Sequence, residues 1–389
     1  MGQISDMTEF IDNLTIRGFR GFRDLTIPEF GKVNLITGKN NTGKSSVLEA
    51  IRILVAGGAA ETLHTILRYR EEIPAGTNYR DLEEREDFNL IRSLFLGFPD
   101  ILDLDESPAF SIQAHGRLPA ESSKLIISTS WISRRHGVSE RRPELDHGED
   151  IPSAETDAMD GIPALSIQAG EKVRNVPLPI LARPASWSRR ANRFSASPSD
   201  LARFIHLDTS NAGNTGQLGV LWDEIELTDI QEEVLKALQL VSPDIQAVSM
   251  IGGDSRSSGR TAIVRSKRFA SRVPLRSYGD GINRVFGIIL SLCNARNGIL
   301  LIDEIENGLH YSVQPLVWGT IFQLAQKLDV QVFATTHSRD CVLAFQQAAA
   351  DSPVEGRLIR LTRKDDWVLP TVFSEDKLQF IADNDIEVR

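Results

Sequence analysis

The chain has 389 residues, of which 41% are hydrophobic and 25% charged, and its formal net charge is −10. This composition fits one large α/β domain or two smaller lobes with real cores, and it excludes a fibrous or disordered chain. No apolar run approaches the roughly 20 residues that a membrane-spanning helix needs, and the first residues lack the features of a secretory signal. We therefore expect a soluble, cytoplasmic protein with no membrane partner.

The negative net charge means that nucleic acid repels the molecule as a whole, so contact with DNA requires a local basic surface. Two basic segments without acidic residues qualify, residues 172–193 and residues 255–276. Each is a candidate footprint for double-stranded DNA. Each is also consistent with a solvated face, or with a surface between subunits that pairs with acidic neighbours.

The first 58 residues carry the pattern of strands followed by a helix. Short β-prone runs at residues 14–16, 25–27 and 33–36 are separated by glycines. Apolar residues then recur at helical spacing over residues 47–55 and stop before a pair of glycines. We expect residues 1–58 to form the N-terminal part of the main α/β core.

Residues 59–270 have a mixed α/β pattern, which predicts an inserted lobe, because structureless connections longer than about 15 residues are uncommon in compact domains. The acid-rich residues 140–160 predict a mobile loop, and residues 228–231 match a capping box at the start of an amphipathic helix. The β-prone runs of this region are residues 110–113, 125–130 and 164–167.

Residues 271–389 alternate regularly between helical and extended patterns, which argues for a mostly parallel sheet with right-handed crossovers. In such a sheet the residues that follow the strands gather along one edge, where α/β proteins bind ligands. The predicted elements are a helix from Gly281, a strand at residues 299–302, a helix at 312–328 and a strand at 330–334.

Residues 38–45 match the phosphate-binding pattern GxxxxGK[ST], between a predicted strand and a predicted helix. Its glycines let backbone N–H groups converge on phosphate oxygens at a helix N-terminus. Lys44 would add a full charge for the β- and γ-phosphates, and Ser45 would place its hydroxyl on Mg²⁺. The pattern predicts ATP and Mg²⁺ as cofactors. The predicted nucleotide-binding residues of the loop are Gly38, Asn40, Asn41, Thr42, Gly43, Lys44, Ser45 and Ser46.

Two carboxylates, Asp303 and Glu304, follow the apolar strand at residues 299–302. Because successive side chains of a strand point to opposite faces, we expect the two to be aimed differently. Asp303 is placed to reach the Mg²⁺ shell near Ser45, through water in part, since Mg²⁺ keeps much of its hydration. Glu304 is the candidate for polarising the attacking water, with a purely structural carboxylate as the alternative.

His337 follows the strand predicted at residues 330–334, which should lie beside the strand that ends before Asp303. Its imidazole can therefore approach the γ-phosphate from the same edge and sense whether that phosphate is present. The alternative is a structural histidine that is buried in the core and hydrogen-bonded there. The predicted catalytic set is thus Lys44, Glu304 and His337.

Five motifs together resemble the RecF/SMC-like branch of the ATP-binding-cassette ATPases. Within it, the closest resemblance is to the ATPase half of OLD (overcoming lysogenization defect) proteins and to related stand-alone antiphage-defence ATPases. The resemblance covers about residues 12–58 and 272–345. The motifs are residues 14–22, 38–45, 277–281, 303–310 and 335–338.

The resemblance implies a P-loop head in which ATP is held between the Lys44 loop of one protomer and the Ser277–Gly279 turn of another, hence a homodimer or higher homo-oligomer. Tyr278 and Asp280 stand where transporters usually have Gly and Gln, so Ser277 and Gly279 are the positions carried over. The glutamine loop of the family is not placed, and the candidates are Gln113, Gln168 and Gln217.

About 50 residues follow His337, too few for the Toprim nuclease domain of OLD nucleases. The resemblance therefore implies an ATPase sensor or scaffold of a bacterial defence system that works with a separately encoded effector, commonly a nuclease. Two alternatives stay open. One is a RecF-like DNA-repair factor that binds duplex DNA, and the other is a nucleotide-gated interaction protein with negligible turnover.

Overall fold

A computed structural model of the chain describes eight segments. The acidic loop predicted at residues 140–160 lies outside them, as do parts of both basic segments. In the described segments, no helix is long and apolar enough to cross a bilayer. The segments are residues 9–73, 91–101, 107–119, 122–133, 161–181, 202–207, 215–252 and 260–374.

The strands are, in chain order, β1 (Asn13–Phe19), β2 (Phe22–Ile27), β3 (Val33–Gly38), β4 (Ala109–His115), β5 (Lys124–Ser133), β6 (Gly161–Ala169), β7 (Lys172–Pro177), β8 (Phe204–Leu207), β9 (Ile245–Ile251), β10 (Thr261–Ser266), β11 (Val273–Pro274), β12 (Gly298–Ile302), β13 (Val330–Thr335), β14 (Gly356–Lys364) and β15 (Trp367–Phe373).

The α-helices are α1 (Lys44–Val55), α2 (Ala60–Tyr69), α3 (Leu178–Leu181), α4 (Thr215–Asp223), α5 (Asp229–Val241), α6 (Asp280–Asn294), α7 (Gln314–Lys327) and α8 (Arg339–Ala350). Two 3-10 turns, Leu275–Tyr278 and Tyr311–Val313, precede α6 and α7.

The main sheet has six strands in the order β15-β14-β3-β13-β12-β8. All neighbours from β14 to β8 pair in parallel, and β15 is an antiparallel edge strand. The predicted mostly parallel sheet is therefore confirmed. Because the strands are parallel, β3, β12 and β13 end at one edge, and the segments that follow them meet there.

The second sheet is antiparallel throughout, in the order β2-β1-β4-β5-β6-β7. Its first two strands are the predicted N-terminal pair, and its other four come from the middle of the chain. Burial alternates along β4, as expected for a strand with one face on a core. Its apolar side packs toward α1.

The third sheet is small and antiparallel, in the order β11-β10-β9. The segment of residues 59–270, predicted as one inserted lobe, thus contributes strands to all three sheets, including β8 on the edge of the parallel one. Strand periodicity does not reveal which sheet a strand joins. The outer boundaries of the three predicted regions stay a prediction.

Two hydrophobic clusters cover the two faces of the main sheet. Leu300 and Ile302 belong to the cluster with α6 and α7, whereas Ile299 and Leu301 belong to the cluster with α1 and the antiparallel sheet. This alternation within one continuous apolar strand is the pattern of a strand buried on both faces. The sheet is therefore a rigid middle layer that fixes the loops at its edge.

The predicted helix after residues 228–231 is α5, but its start differs from a capping box. Thr228 is the N-cap and makes no side-chain capping bond, because its hydroxyl donates to the carbonyl of Ile225 at 2.6 Å. The side chain of Gln231 accepts from the backbone N–H of Leu227 at 3.1 Å. The bond to the Gln231 side chain is therefore displaced by one residue, and the bond that Thr228 would accept in a capping box is not formed.

Candidate active site

The phosphate-binding loop joins β3 to α1 at the sheet edge, and two glycines shape it. Gly43 is the N-cap of α1 in a left-handed conformation, with φ at 92°. A Cβ there would lie 2.5 Å from the Cζ atom of the Phe22 ring. A Cβ on Gly38 would lie 2.5 Å from the carbonyl oxygen of Leu361. Both sites exclude a side chain, which keeps the backbone N–H groups of the loop accessible.

The side chain of Lys44 folds back over the loop. Its Nζ atom donates to the carbonyl oxygens of Gly38 at 2.8 Å and of Lys39 at 3.2 Å. Burial lowers the pKa of Lys44, and the carboxylates of Asp303, Glu304 and a third acid act in the opposite direction. The Lys44 cation thus lies near the carboxylates that follow β12, and within the described segments it donates only to carbonyls, which phosphate oxygens could replace.

The other predicted loop residues differ in exposure. Asn40 and Asn41 are exposed, and Asn41 has a left-handed φ of 64°. Thr42 is buried, and its hydroxyl donates to the carbonyl of Lys39 at 2.9 Å. Ser46 is also buried and faces away from the loop mouth, because its Oγ accepts from Arg70 at 3.4 Å. Ser46 therefore contributes its backbone, not its hydroxyl, to the loop.

Asp303 lies directly beside the loop. Its Oδ1 atom accepts a hydrogen bond from Ser45 Oγ at 3.1 Å and another from the hydroxyl of Thr335. Its backbone N–H donates to Leu207 on β8 at 3.0 Å. Asp303 is 9% exposed. Its carboxylate is held by Ser45 at the start of α1 and by Thr335 at the end of β13, and its backbone by Leu207 at the end of β8. The structure thus brings Ser45 and Asp303 together as the sequence predicts.

The Ser45 and Asp303 oxygens fit a Mg²⁺ ion. In an octahedral shell with Mg–O distances near 2.05 Å, adjacent ligands lie about 2.9 Å apart, close to the observed 3.1 Å. Among the described residues, no cluster of three or more His, Cys, Asp or Glu side chains forms a metal cage. This donor set therefore suits a magnesium that takes its other ligands from water and phosphate.

Glu304 is aimed differently from Asp303, but not for the predicted reason. The strand β12 ends at Ile302, so strand alternation does not reach Glu304. Its backbone is instead left-handed, with φ at 46°, and its N–H donates to Thr335 Oγ1 at 2.8 Å. The side chain of Glu304 is 44% exposed, in contrast to the buried Asp303. The Glu304 side chain is therefore accessible to a water molecule beside the phosphate-binding loop.

Arg284 of α6 stabilises the turn that contains Asp303 and Glu304. Its Nη2 atom donates to the carbonyl oxygens of Asp303 and Glu304, both at 3.2 Å, and the residue is 3% exposed. The sequence analysis assigned no role to Arg284 or to Thr335. A polar residue inside the apolar face of α6 was the available signal for Arg284, and a threonine at the end of a buried strand was the signal for Thr335.

His337 follows β13 at the same edge. Its Nδ1 atom lies 3.1 Å from Glu306 Oε1 and 3.8 Å from Glu304 Oε1. Its backbone N–H also donates to Glu306 Oε1 at 2.9 Å, so the largely buried Glu306 side chain holds this segment in place. The imidazole itself is 54% exposed. It is a surface group beside the acidic edge and not a core histidine.

Ser277 and Gly279 lie at the exposed end of α6. Ser277 belongs to the 3-10 turn, and Gly279 is the N-cap of α6 with φ at 111°. The next glycine, Gly281, approaches the carbonyl of Gly308, which follows the acidic turn. The Ser277–Gly279 turn therefore lies near the acidic turn that follows β12 and is itself exposed.

Tyr278, the departure from the transporter pattern, anchors this turn. Its hydroxyl donates to Asp244 Oδ2 at 2.8 Å, and Asp244 also accepts from Ser266 at 2.8 Å. The Tyr278 ring packs edge-on against Phe269 at 5.5 Å between centroids, and the guanidinium of Arg268 lies 5.8 Å from the ring centre. The tyrosine thus ties the Ser277 turn to the third sheet.

The three candidates for the glutamine loop lie in different parts of the fold. Gln113 on β4 and Gln168 on β6 belong to the antiparallel sheet, not to the sheet that carries the site. β8 runs parallel to β12, so the two strands end at the same edge of the sheet. Residues 208–214, which follow β8, lie outside the described segments, and Gln217 comes after them on α4.

Two family models match the chain and together span both halves of the site. One, described as "AAA ATPase domain", matches residues 10–93, which include the phosphate-binding loop. The other, described as "AAA domain, putative AbiEii toxin, Type IV TA system", matches residues 169–343, which include the acidic edge and His337.

Two relatives are similar in sequence to the chain. An "ATP/GTP phosphatase" of Helicobacter pylori is 22% identical over 402 residues, covering 96% of this chain and 98% of its own. The DNA replication and repair protein RecF of Idiomarina loihiensis is 44% identical over 48 residues, 12% of this chain and 14% of its own.

A crystal structure of an SMC head, bound to the C-winged helix domain of ScpA, superposes with a TM-score of 0.51 at 13% identity. The alignment covers 95% of this chain and 99% of that one. This likeness shows the fold, and the ATPase family models with the phosphatase relative show the activity. The chain is therefore a P-loop ATPase whose head fold is of the ATP-binding-cassette and SMC kind.

Proposed function

We propose that the chain hydrolyses ATP with Mg²⁺ at the edge formed by Lys44, Ser45, Asp303 and Glu304. The observation that carries this proposal is the contact between Ser45 and Asp303, which joins the phosphate-binding loop to the acidic strand end at 3.1 Å. Lys44 would hold the β- and γ-phosphates, while Ser45 and Asp303 would hold the metal. When bound, Mg²⁺ would neutralise charge on the phosphate oxygens.

Glu304 would orient the attacking water and take up its proton as the oxygen bonds to the γ-phosphorus and the bond to ADP breaks. Its exposure and its aim away from Asp303 support this role. His337 lies 3.8 Å from Glu304 and would contact the γ-phosphate or the water, which makes it a sensor of nucleotide state.

The active unit is a homodimer or a higher homo-oligomer, with each ATP held between two copies. Ser277 and Gly279 support this arrangement, because they are exposed at the N-terminus of α6, where Ser277 carries a hydroxyl. A second copy would offer this turn to the nucleotide on the first. Binding would then close the interface and hydrolysis would release it.

In the cell, we assign the chain to a bacterial antiphage-defence system, as an ATPase sensor or scaffold that controls a separate effector of the nuclease class. The motif set, which resembles OLD-type ATPases, supports this assignment. The SMC head of similar fold is bound to a domain of ScpA, so a head of this architecture can carry a protein partner.

The test of the enzymatic proposal is the Glu304→Gln variant of the full chain. We expect turnover to fall at least 100-fold while ATP binding persists and an ATP-bound oligomer accumulates, as measured by phosphate release and light scattering. Asp365→Asn, an exposed acid in the β14–β15 turn, is the control and should behave as wild type. Unchanged turnover in Glu304→Gln would remove Glu304 from the mechanism.

The defence role requires a cellular test. Cells that carry the chain with its neighbouring genes should plate phage at reduced efficiency, and Lys44→Ala in the same operon should restore plating. If Lys44→Ala protects as well as wild type does, ATP binding has no part in protection and the sensor proposal fails.

A RecF-like DNA-binding role is the second candidate, and one surface favours it. The turn between β10 and β11 is exposed over residues 267–272, and it carries Lys267, Arg268 and Arg272 without an acid. Arg265 and Arg276 flank it and are exposed as well. Several adjacent cations with one aromatic residue suit a phosphate backbone better than the charge-depleted core of a protein interface.

Salt dependence tests this second role. Duplex DNA should bind in the presence of ATP, with a slope of log affinity against log salt of about −0.9 for each phosphate neutralised. A Lys267→Glu/Arg268→Glu double variant should weaken binding for every duplex sequence alike. Absence of binding at low salt would eliminate the RecF-like role and leave the ATPase proposal intact.

A further inference from the structure

Four charged side chains form a cluster behind the phosphate-binding loop, Arg20, Glu49, Arg70 and Glu72. Glu49 is at its centre, with Oε2 lying 2.7 Å from Arg20 Nε and Oε1 lying 2.6 Å from Arg70 Nε. Arg20 continues to Glu72 through an ion pair of 2.8 Å. Glu49 and Arg20 are each 8% exposed, so one buried carboxylate is shared by two guanidinium groups.

The cluster joins three separate elements. Glu49 lies in the second turn of α1, the helix that begins with Lys44. Arg20 occupies the tight turn between β1 and β2, where its backbone is left-handed with φ at 49°. Arg70 is the residue that ends α2. The antiparallel sheet and α2 are therefore both attached to the phosphate-binding helix through a single carboxylate.

One contact leads from the cluster to the first turn of α1. Arg70 Nη2 lies 3.4 Å from Ser46 Oγ, and Ser46 directly follows Ser45. Ser45 in turn donates to Asp303. A path of direct contacts therefore runs from Glu49 through Arg70 and Ser46 to the pair that suits a metal ion.

Burial and charge explain why Glu49 is a sensitive position in this path. Burial raises the pKa of the Glu49 carboxyl, and the charges of Arg20 and Arg70 oppose that rise. The two guanidinium groups thus favour the ionised form of Glu49, against the effect of burial. Loss of the charge would release Arg70, whose side chain is one-third exposed and therefore has room to leave Ser46.

We propose that Glu49 is a positioning residue for ATP hydrolysis. By holding Arg70 against Ser46 and the β1–β2 turn against α1, it keeps the first turn of α1 aligned with Asp303. This inference rests on the proposed assignment of Ser45 and Asp303 to Mg²⁺. A displacement of about 1 Å at a reacting centre costs on the order of 100-fold in rate. A shift of the first turn of α1 would therefore change the Mg²⁺ concentration that hydrolysis requires.

The test compares Glu49→Gln with wild type in the full chain. We expect the Mg²⁺ concentration for half-maximal turnover to rise about tenfold and kcat to fall about tenfold, following the loss of alignment. ATP binding measured in EDTA should stay within about twofold of wild type, since Lys44 and the loop glycines remain. Glu49→Asp retains the charge and should restore part of the Mg²⁺ response.

Asp329→Asn is a closely matched control. Asp329 is also a carboxylate shared by two cations, with Lys32 at 2.6 Å and Arg117 at 3.0 Å. It precedes β13, whereas His337 and the site follow the other end of that strand. Asp329→Asn should lower the thermal midpoint without changing the Mg²⁺ response.

A purely structural role is the outcome that overturns the inference. In that case Glu49→Gln and Glu49→Asp would lower the thermal midpoint, and the folded protein would keep the wild-type Mg²⁺ response, as Asp329→Asn does. If Ser45→Ala and Asp303→Asn shift the Mg²⁺ response but the Glu49 variants do not, only this inference fails. If none of the four shifts it, the proposed metal assignment fails as well.

Discussion

Ser45 Oγ donates to Asp303 Oδ1 at 3.1 Å, although 258 positions separate the two residues in the chain. The contact exists because β3 and β12 flank β13 in one parallel sheet, so the loops after β3 and β12 open at the same edge. It also aligns a hydroxyl and a carboxylate that are otherwise carried by different halves of the molecule. Two predictions test what this alignment does.

The first prediction concerns Asp303→Asn. Replacement of the carboxylate by an amide preserves the shape but removes the negative charge that favours Mg²⁺. We expect the Mg²⁺ concentration for half-maximal hydrolysis to rise at least tenfold, with ATP binding in EDTA retained. Metal titrations of phosphate release measure this, and Asp365→Asn is the control. An unaltered titration would place the metal elsewhere.

The second prediction concerns Thr335→Val. The Thr335 hydroxyl donates to Asp303 and accepts from the backbone N–H of Glu304 at 2.8 Å. Valine has nearly the same shape, so the change removes these bonds without a cavity and costs about 1–3 kcal/mol of stability through the groups left unsatisfied. Turnover should fall about tenfold or more, because both carboxylates lose their alignment.

Thr335→Ser retains the hydroxyl and is the control for Thr335→Val. Denaturant unfolding and phosphate release, measured on the same preparations, separate the effect on stability from the effect on turnover. If valine and serine give equal rates, the hydroxyl does not organise the site.

Much of the nucleotide-binding half was predictable from local patterns. The runs that became β3, β12 and β13 are short, apolar and bounded by turn or acidic residues, as expected for strands buried on both faces. The phosphate-binding loop is a contiguous motif, so Lys44 and Ser45 could be named without a fold. Asp303, Glu304 and His337 followed from the rule that parallel strands end at one edge.

The remainder depended on contacts between distant segments. Nothing in the short run of β8 indicates that it pairs with β12, since strand partners are set by packing and not by propensity. The dependence of His337 on Glu306 could not be predicted either, because the acidic turn leaves the strand pattern at Ile302. The left-handed backbone of Glu304 is a local exception that strand alternation does not anticipate.

The third prediction concerns Tyr278→Phe. This change removes the hydrogen bond to Asp244 at 2.8 Å and leaves the ring against Phe269. The Ser277 turn would lose one of its attachments to the third sheet, so the proposed contact with ATP on a second copy would weaken. We expect ATP-dependent oligomerisation of the Glu304→Gln background to require severalfold more protein, as measured by light scattering.

Asp244→Asn should give a similar loss, because it removes the charge from the same hydrogen bond. The thermal midpoint should change little in Tyr278→Phe, since a net hydrogen bond contributes only about 1 kcal/mol. If oligomerisation is unaltered in both variants, the turn does not take part in the contact between copies.

The fourth prediction concerns His206 on β8 and the pH dependence of stability. Its Nδ1 atom lies 3.3 Å from Arg52 Nη1 on α1. Burial, together with the positive charge of Arg52, lowers the pKa of His206 to about 3. In the unfolded chain, where a histidine has an ordinary pKa near 6.5, His206 binds a proton below that pH. In the folded chain, the His206 side chain stays neutral down to about pH 3.

Because the unfolded state binds the extra proton, stability is fully present above pH 6.5 and is lost as pH falls toward 3. This group alone should cost about 2 kcal/mol between pH 7.5 and pH 5. Denaturant unfolding at the two pH values should show this difference in wild type and lose it in His206→Gln. The control His115→Gln, at an exposed position at the end of β4, should retain it. An equal pH response in His206→Gln and wild type would mean that His206 is protonated in the folded protein, which requires the ring to leave Arg52.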